Sequence, residues 1–240
     1  METLVDLVAR SRRSDAPALR APAHDQFYDY QRLCTETWKT ANFLHARGVR
    51  ARSTVGVGDD ARGQVVLAVL GSALLGAKAY VDPPRNADAR AVVAHADDVD
   101  GYDLEAGTQR IAYGGEPDAP DVYYFEGDVW SENPTMPPEA AERADINVAL
   151  VTGSRVFTHG ELLSAAARVG DQLSLTADTE VAVRAPLSDA RALAAGVLAP
   201  IYAGGTVVFP DADTTADAAV VAPDRDAPES RTLGVRDVEL

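Results

Sequence analysis

The stretch TVGVGDDARGQVVLAVLGSALLGAKAYVDP, residues 54–83, sets the fold class. Val55–Val57 is short and β-branched and reads as a strand. Ala61–Leu75 carries Val65, Val66, Leu67, Val69, Leu70 and Leu74, so it is apolar nearly all round, the pattern of a helix buried on both sides. Gly76 stops that helix, and Ala77–Val81 is a second strand closed by Asp82-Pro83-Pro84. Strand, buried helix and strand in succession make the chain an α/β protein.

The pattern extends on both sides. Met1–Arg13 reads as a short amphipathic helix and Ala18–Ala21 as strand-like. Asp29 is placed to cap a helix from Tyr30 to about Arg47. Tyr30, Leu33, Cys34, Trp38, Ala41 and Leu44 recur along it near helical spacing, and Gly48 ends it. Downstream, Ile146–Val151 is a strand. Thr158-His159-Gly160-Glu161 is a capping box that opens a helix to about Leu173. Val181–Val183 is a strand, Asp189–Ile201 a second buried helix, and Thr206–Phe209 a strand. A shift of 129 positions lays Asp29 on Thr158, Leu33 on Leu162, Asp60-Ala61-Arg62 on Asp189-Ala190-Arg191, Gly76 on Gly205 and Asp82 on Asp211. The expected architecture is therefore two related subdomains, sheets flanked by helices, at residues 1–84 and 146–223. Between them, residues 85–145 hold a helix at Ala87–His95, short strands near Arg110–Tyr113 and Val122–Phe125, and many prolines, as expected of a connecting region. Residues 224–240 are charged and poor in large apolar side chains, so a frayed tail is expected there.

Composition narrows the functional classes. Asp and Glu number 37 against 22 Lys and Arg, a net charge of -15, and only Lys39 and Lys78 are lysines. A self-repelling acidic surface of this kind suits a salt-adapted cytoplasmic protein, although a GC-rich genome would also favour arginine. Duplex nucleic acid and anionic membranes are poor partners for it. No apolar run reaches the roughly 18 residues that a membrane span needs, and Met1–Arg13 lacks the apolar centre of a secretory signal. Cys34 is the single cysteine, which leaves no intramolecular disulfide or cysteine-based metal site; it falls on the apolar stripe of a helix as a small core residue.

Candidate chemistry is sparse. Gly56-Val57-Gly58-Asp59-Asp60-Ala61 fits G-x-G-x-x-A, and Asp82 stands where a dinucleotide-binding unit places its ribose carboxylate. An oxidoreductase using Gly56, Gly58 and Asp82 is thus one reading, opposed by two aspartates where pyrophosphate would sit. His24, His45, His95 and His159 show no helical metal spacing, and His95 with Asp97 and Asp98 reads as a solvated acidic loop. Neither a G-x-S-x-G elbow nor a G-x-x-x-x-G-K-[ST] loop occurs.

Several stretches together resemble one family. Tyr30-Gln31-Arg32-Leu33 through Ala41-Asn42-Phe43-Leu44 to Gly48-Val49 is similar to the opening of adenylate-forming enzymes: acyl-CoA synthetases, luciferases and peptide-synthetase adenylation domains. Leu74–Pro83 resembles their L-K-A-G-A-A-Y-V-P-x-D-P segment. Val148–Ser154 followed by Thr158-His159-Gly160-Glu161-Leu162 resembles the strand before and the helix after their phosphate loop. Ala185-Pro186 through Pro200–Val208 resembles the next helix–strand step. The likeness covers about residues 18–210. It implies the fold of the family's N-terminal domain, and an AMP-forming ligase that would bind ATP, AMP or an acyl ligand.

Where the family's loop reads roughly T-S-G-T-T-G-x-P-K-G, this chain has Thr152, Gly153 and Ser154 and then Arg155-Val156-Phe157, with no second glycine, proline or lysine. Thr152, Gly153 and Ser154 are the expected remnant of the nucleotide site; no catalytic residue and no metal ligand is assigned. The family's ribose-contacting aspartate, magnesium-serving acid and catalytic lysine have no counterpart up to residue 240. The expectation is a ligase-like protein that has lost catalysis and acts as a binding or regulatory partner, of another protein or of a small acyl or nucleotide ligand. The alternative is one half of a split acid-activating ligase completed by another polypeptide.

Overall fold

The computed structural model describes residues 1–138, 140 and 147–240. In chain order the elements begin with β1 (Pro17–Ala21), β2 (Gln26–Asp29), α1 (Tyr30–Ala46), β3 (Thr54–Val57), α2 (Gly63–Leu74) and β4 (Lys78–Val81). They continue with β5 (Ala91–His95), α3 (Ala96–Val99), β6 (Gln109–Tyr113), β7 (Val122–Tyr124) and α4 (Phe125–Trp130). The remainder comprises β8 (Val148–Thr152), β9 (Arg155–Thr158), α5 (His159–Gln172), β10 (Glu180–Arg184), α6 (Ala190–Ala192), a π-helical stretch (Leu193–Leu198), α7 (Ala199–Ala203), β11 (Thr206–Val208), β12 (Ala218–Val221) and β13 (Thr232–Gly234). The expected strand start at Ile146 lies outside the described residues.

Among the described residues the strands form two sheets, ordered β7-β6-β5-β3-β4-β8-β9 and β13-β12-β10-β11-β1-β2. Pairing is parallel throughout except in the hairpins β1–β2 and β8–β9. The two orders match strand for strand once β7 is set aside: β6-β5-β3-β4 corresponds to β13-β12-β10-β11, and each sheet is completed by a hairpin. That hairpin comes from the other half of the chain. β1 pairs with β11, and β8 pairs with β4. The offset of 129 holds at the residue level where the hairpins meet their helices: β2 and β9 begin and end 129 positions apart, and so do the N-caps Asp29 and Thr158. Each half therefore lends an antiparallel ribbon to its counterpart, and one core runs through both sheets, from Leu4 to Val238.

Local chemistry explains the helix starts. Asp29 Oδ1 accepts from Arg32 N at 2.6 Å. Thr158 Oγ1 accepts from Glu161 N at 3.2 Å while Glu161 Oε2 accepts from Thr158 N at 2.8 Å, the reciprocal capping box. α2 is buried along its whole length, as its apolar circumference requires, and α1 packs against it. Gly71 lets the two helices approach, since a Cβ there would lie 3.0 Å from Thr40 Cγ2. The helix expected over Asp189–Ile201 is interrupted by the π-helical stretch ahead of Pro200, whose missing N–H cannot join an i→i−4 ladder.

Four expectations are corrected. Ala87–His95, read as a helix, is strand β5 from Ala91 onward, central between β3 and β6; its residues Ala91–Ala94 are buried, and a short apolar run does not itself distinguish strand from helix. Residues 85–145, read as a connecting region, supply β5, β6 and β7 to the seven-stranded sheet. Residues 224–240, read as a frayed tail, carry β13, paired to β12, with Leu233, Val235 and Val238 buried. Met1–Arg13 forms two 3₁₀ turns, Leu4–Val8 and Arg10–Arg12, in place of one helix.

Candidate functional site

Parallel α/β sheets place ligands at the carboxyl ends of their strands, where neighbouring strands connect in opposite directions. In the seven-stranded sheet β3 connects onward to β4 on one side, while β5, on its other side, connects to β6. The switch point lies between β3 and β5. In the six-stranded sheet the same logic puts it between β10 and β12. A cleft stands at each. One of about 390 Å³ is lined by Gly58, Asp82, His95 and Tyr113 among others, and one of about 750 Å³ by Arg184, Leu187, Asp211 and Arg225 among others. Asp59 and Asp60 border both.

The sequence-derived remnant lies apart from these clefts. Thr152 ends β8 and Arg155 opens β9, and the two pair directly across the ladder. Gly153 and Ser154 are therefore the whole turn, a two-residue hairpin with Gly153 at φ +54°, as its first central position favours. Both residues are exposed, and a Cβ built on Gly153 would meet nothing within 4 Å. Tyr80 Oη donates to Gly153 O at 2.9 Å, which ties the turn to β4. Arg155 stacks over Phe157, 4.8 Å from the ring centroid. Thr152, Gly153 and Ser154 thus lie together at the tip of a tight hairpin.

The glycine motif is also redirected. Gly56 has a packing reason, since a Cβ there would come 3.0 Å from Pro83 and 3.1 Å from Val92. Ala61 falls before the helix, whose N-cap is Arg62. The first amide of α2 is already taken: Gly63 N donates to Gln26 Oε1 at 2.9 Å, and Gln26 Nε2 bonds Gln64 Oε1 at 2.8 Å. The Tyr28 ring covers the same end, 2.6 Å from where a Gly63 Cβ would stand. A pyrophosphate has no open helix terminus here. Asp59 turns to the other half: its carboxylate accepts from Leu187 N at 2.7 Å and Ser188 Oγ at 2.5 Å, while Asp60 pairs with Arg62 at 2.8 Å.

Two features were not visible in the sequence. At the larger cleft Arg184, the last residue of β10, forms a fork with Glu229, Nε to Oε2 at 2.9 Å and Nη2 to Oε1 at 2.6 Å. The Glu229 side chain is 0% exposed. Its burial pushes the carboxyl upward, and the Arg184 hydrogen bonds and charge more than offset that, leaving the pKa below the usual carboxylate value. At the smaller cleft Tyr113 and Tyr102 are buried, and burial raises both phenols, Tyr113 with help from the Asp60 charge. Both are therefore protonated donors at neutral pH. These residues lie far from one another or from any motif in sequence, and only the strand order brings them together.

The remaining candidates have structural placements. Cys34 is buried, its thiol pushed up to about 11 chiefly by burial, so it is a core residue and not a nucleophile. His95 Nδ1 accepts from Asp97 N at 3.3 Å and caps the short α3. His159 Nδ1 accepts from Leu4 N at 3.1 Å and pins the N-terminal turn. Among the described residues no three His, Cys, Asp or Glu side chains gather at metal-binding distance. No described helix is long and apolar enough to cross a membrane.

No family model matches the chain, and no curated protein sequence does. Solved structures match its fold. Anthranilate CoA ligase AuaEII, in complex with anthranoyl-AMP, superposes with a TM-score of 0.78 at 20% identity, covering 92% of this chain and 50% of that one. A benzoate CoA ligase from Burkholderia xenovorans LB400 gives 0.77 at 19% identity over 93% of this chain and 50% of that one. The N-terminal domain of FACL13 from Mycobacterium tuberculosis gives 0.74 at 17% identity over 93% of this chain and 63% of that one. The chain thus has the fold of the N-terminal domain of adenylate-forming CoA ligases and spans about half the length of the ligases it resembles.

Proposed function

We propose that this chain is a ligase-like scaffold without adenylating activity, which acts as a binding or regulatory partner. One observation carries the reading: the connection from Thr152 to Arg155 is a two-residue hairpin turn. Adenylation needs donors held where charge develops on the transferring phosphates. Removing a single such donor from an active site typically costs about 2.7–4 kcal/mol of transition-state stabilisation, and here the missing loop would have supplied several. Arg155, the nearest cation in sequence, is stacked on Phe157. The acidic surface, net -15, adds a field that opposes a polyphosphate.

The test is ATP–pyrophosphate exchange with magnesium and a panel of aromatic and aliphatic carboxylic acids. The expected result is exchange at the no-protein background for every acid. Robust exchange with any of them removes the proposal. A second reading, one half of an acid-activating ligase completed by another polypeptide, draws on the half-length match to the CoA ligases. It requires that a co-expressed candidate partner bring exchange above background.

A further inference from the structure

The smaller cleft has a composition that the ligase reading does not use. Its walls combine carboxylates with aromatic rings: Asp60, Asp82 and Asp98 beside Tyr102, Tyr113 and His95. Three of the four bordering acids already have partners. Asp59 is held by Leu187 and Ser188, Asp60 by Arg62, and Asp98 by Arg85 at 3.6 Å. The Asp82 carboxylate has no hydrogen bond or ion pair among the described residues, and its backbone sits at φ +53° at the end of β4, beside Pro83.

An independent observation marks the cleft as a binding place. Tyr113 is 1% exposed, yet its hydroxyl makes no hydrogen bond within the described residues and opens onto the cleft, where it stops 3.0 Å from a Cβ built on Gly58. The ring is buried while the hydroxyl is left to the cleft with no partner in the described protein, so it is available to a polar group of a bound ligand. Its ring is fixed edge-on against His95, 5.8 Å between centroids. The Tyr102 ring is stacked by Arg85 at 4.6 Å. The phenol and the free carboxylate therefore stand on rigid strands and a pinned loop at the topological switch point.

The geometry points to a site for a small organic cation carrying a primary ammonium group. The aspartates outnumber the single lining arginine, Arg85, which disfavours phosphates and carboxylates as ligands. The carboxylates do not converge closely enough for a bare metal ion, so the positive charge must come on a larger body. Aromatic walls favour such a body, because they attract an organic cation through the ring faces. A volume of about 390 Å³ suits a small amine. In this arrangement Asp82 accepts from the ammonium group and the Tyr113 hydroxyl bonds a second polar atom. This site does not depend on the loss of adenylation.

Calorimetric titration of the whole chain with putrescine at high salt tests it, with adenosine and magnesium ion titrated alongside. High salt suppresses diffuse attraction to the acidic surface. The expected result is saturable one-to-one putrescine binding, weakened about tenfold by Tyr113→Phe and by Asp82→Asn, with adenosine and magnesium giving no saturation. Tyr113→Phe keeps the charge and the ring, so nonspecific attraction would survive it. Because its hydroxyl has no partner in the protein, Tyr113→Phe should also leave the melting temperature unchanged or raised, which separates a ligand contact from a structural bond. No saturation by putrescine, binding unaffected by Tyr113→Phe, or preference for adenosine or magnesium each overturns the proposal.

Discussion

At the residue scale the least expected feature is the Arg184–Glu229 fork, which joins the end of β10 to the segment between β12 and β13. Arg184 Nη2 also donates to Thr214 O at 2.8 Å, and Glu229 Oε1 accepts from Ala216 N at 3.3 Å. One ion pair therefore organises three segments around the larger cleft. Breaking a buried pair by removing one partner typically costs about 3–5 kcal/mol, so Glu229→Gln should cost a substantial part of that in urea denaturation at neutral pH. The pH dependence follows from the direction of the shift. Folding lowers the Glu229 pKa, so the pair stabilises the protein fully above the unfolded-state value, and that stabilisation is lost as pH falls through the folded value. Stability of the parent chain should drop more steeply with acid than that of Glu229→Gln. Parallel curves would mean that the pair contributes nothing to folding.

At the scale of elements, what could be read from the sequence was what is local. Asp29, Thr158 and Glu161 announce their helices because a cap is satisfied within three residues. The circumference of α2 shows its burial for the same reason. β5 was not legible as a strand, since Ala91-Val92-Val93-Ala94 owes its conformation to pairing with β3 and β6, tens of residues away. β13 was hidden by charged neighbours of Leu233, Val235 and Val238, whose burial depends on β12. Thr152–Ser154 stand out in the sequence only through a resemblance, and their closure into a hairpin follows from pairing of β8 with β9. Glycine placement gives a test at this scale. A Cβ on Gly205, just before β11, would come 2.5 Å from Thr179 O and 2.8 Å from Thr176 O, both backbone atoms that cannot swing aside. Gly205→Ala should destabilise the protein by about 1–3 kcal/mol in the same denaturation assay, whereas Gly170→Ala, which meets nothing within 4 Å, should not.

At the scale of the molecule, two halves of like topology exchange hairpins. Both serve as the final ribbon of a sheet and as the lead-in to a helix, α1 or α5. A two-residue turn between β8 and β9 is enough for both structural duties, and in the proposed reading it leaves no room for a phosphate-holding loop. The chain keeps the fold of a CoA ligase N-terminal domain with only two residues between β8 and β9, and whether it binds nucleotide is a separate question from its fold. Titration of the chain with magnesium ATP, followed by calorimetry, tests this most directly. No saturable heat is expected up to millimolar nucleotide; saturable one-to-one binding in the micromolar range, weakened by substitution of Thr152 or Ser154, would show that the hairpin tip still holds phosphates.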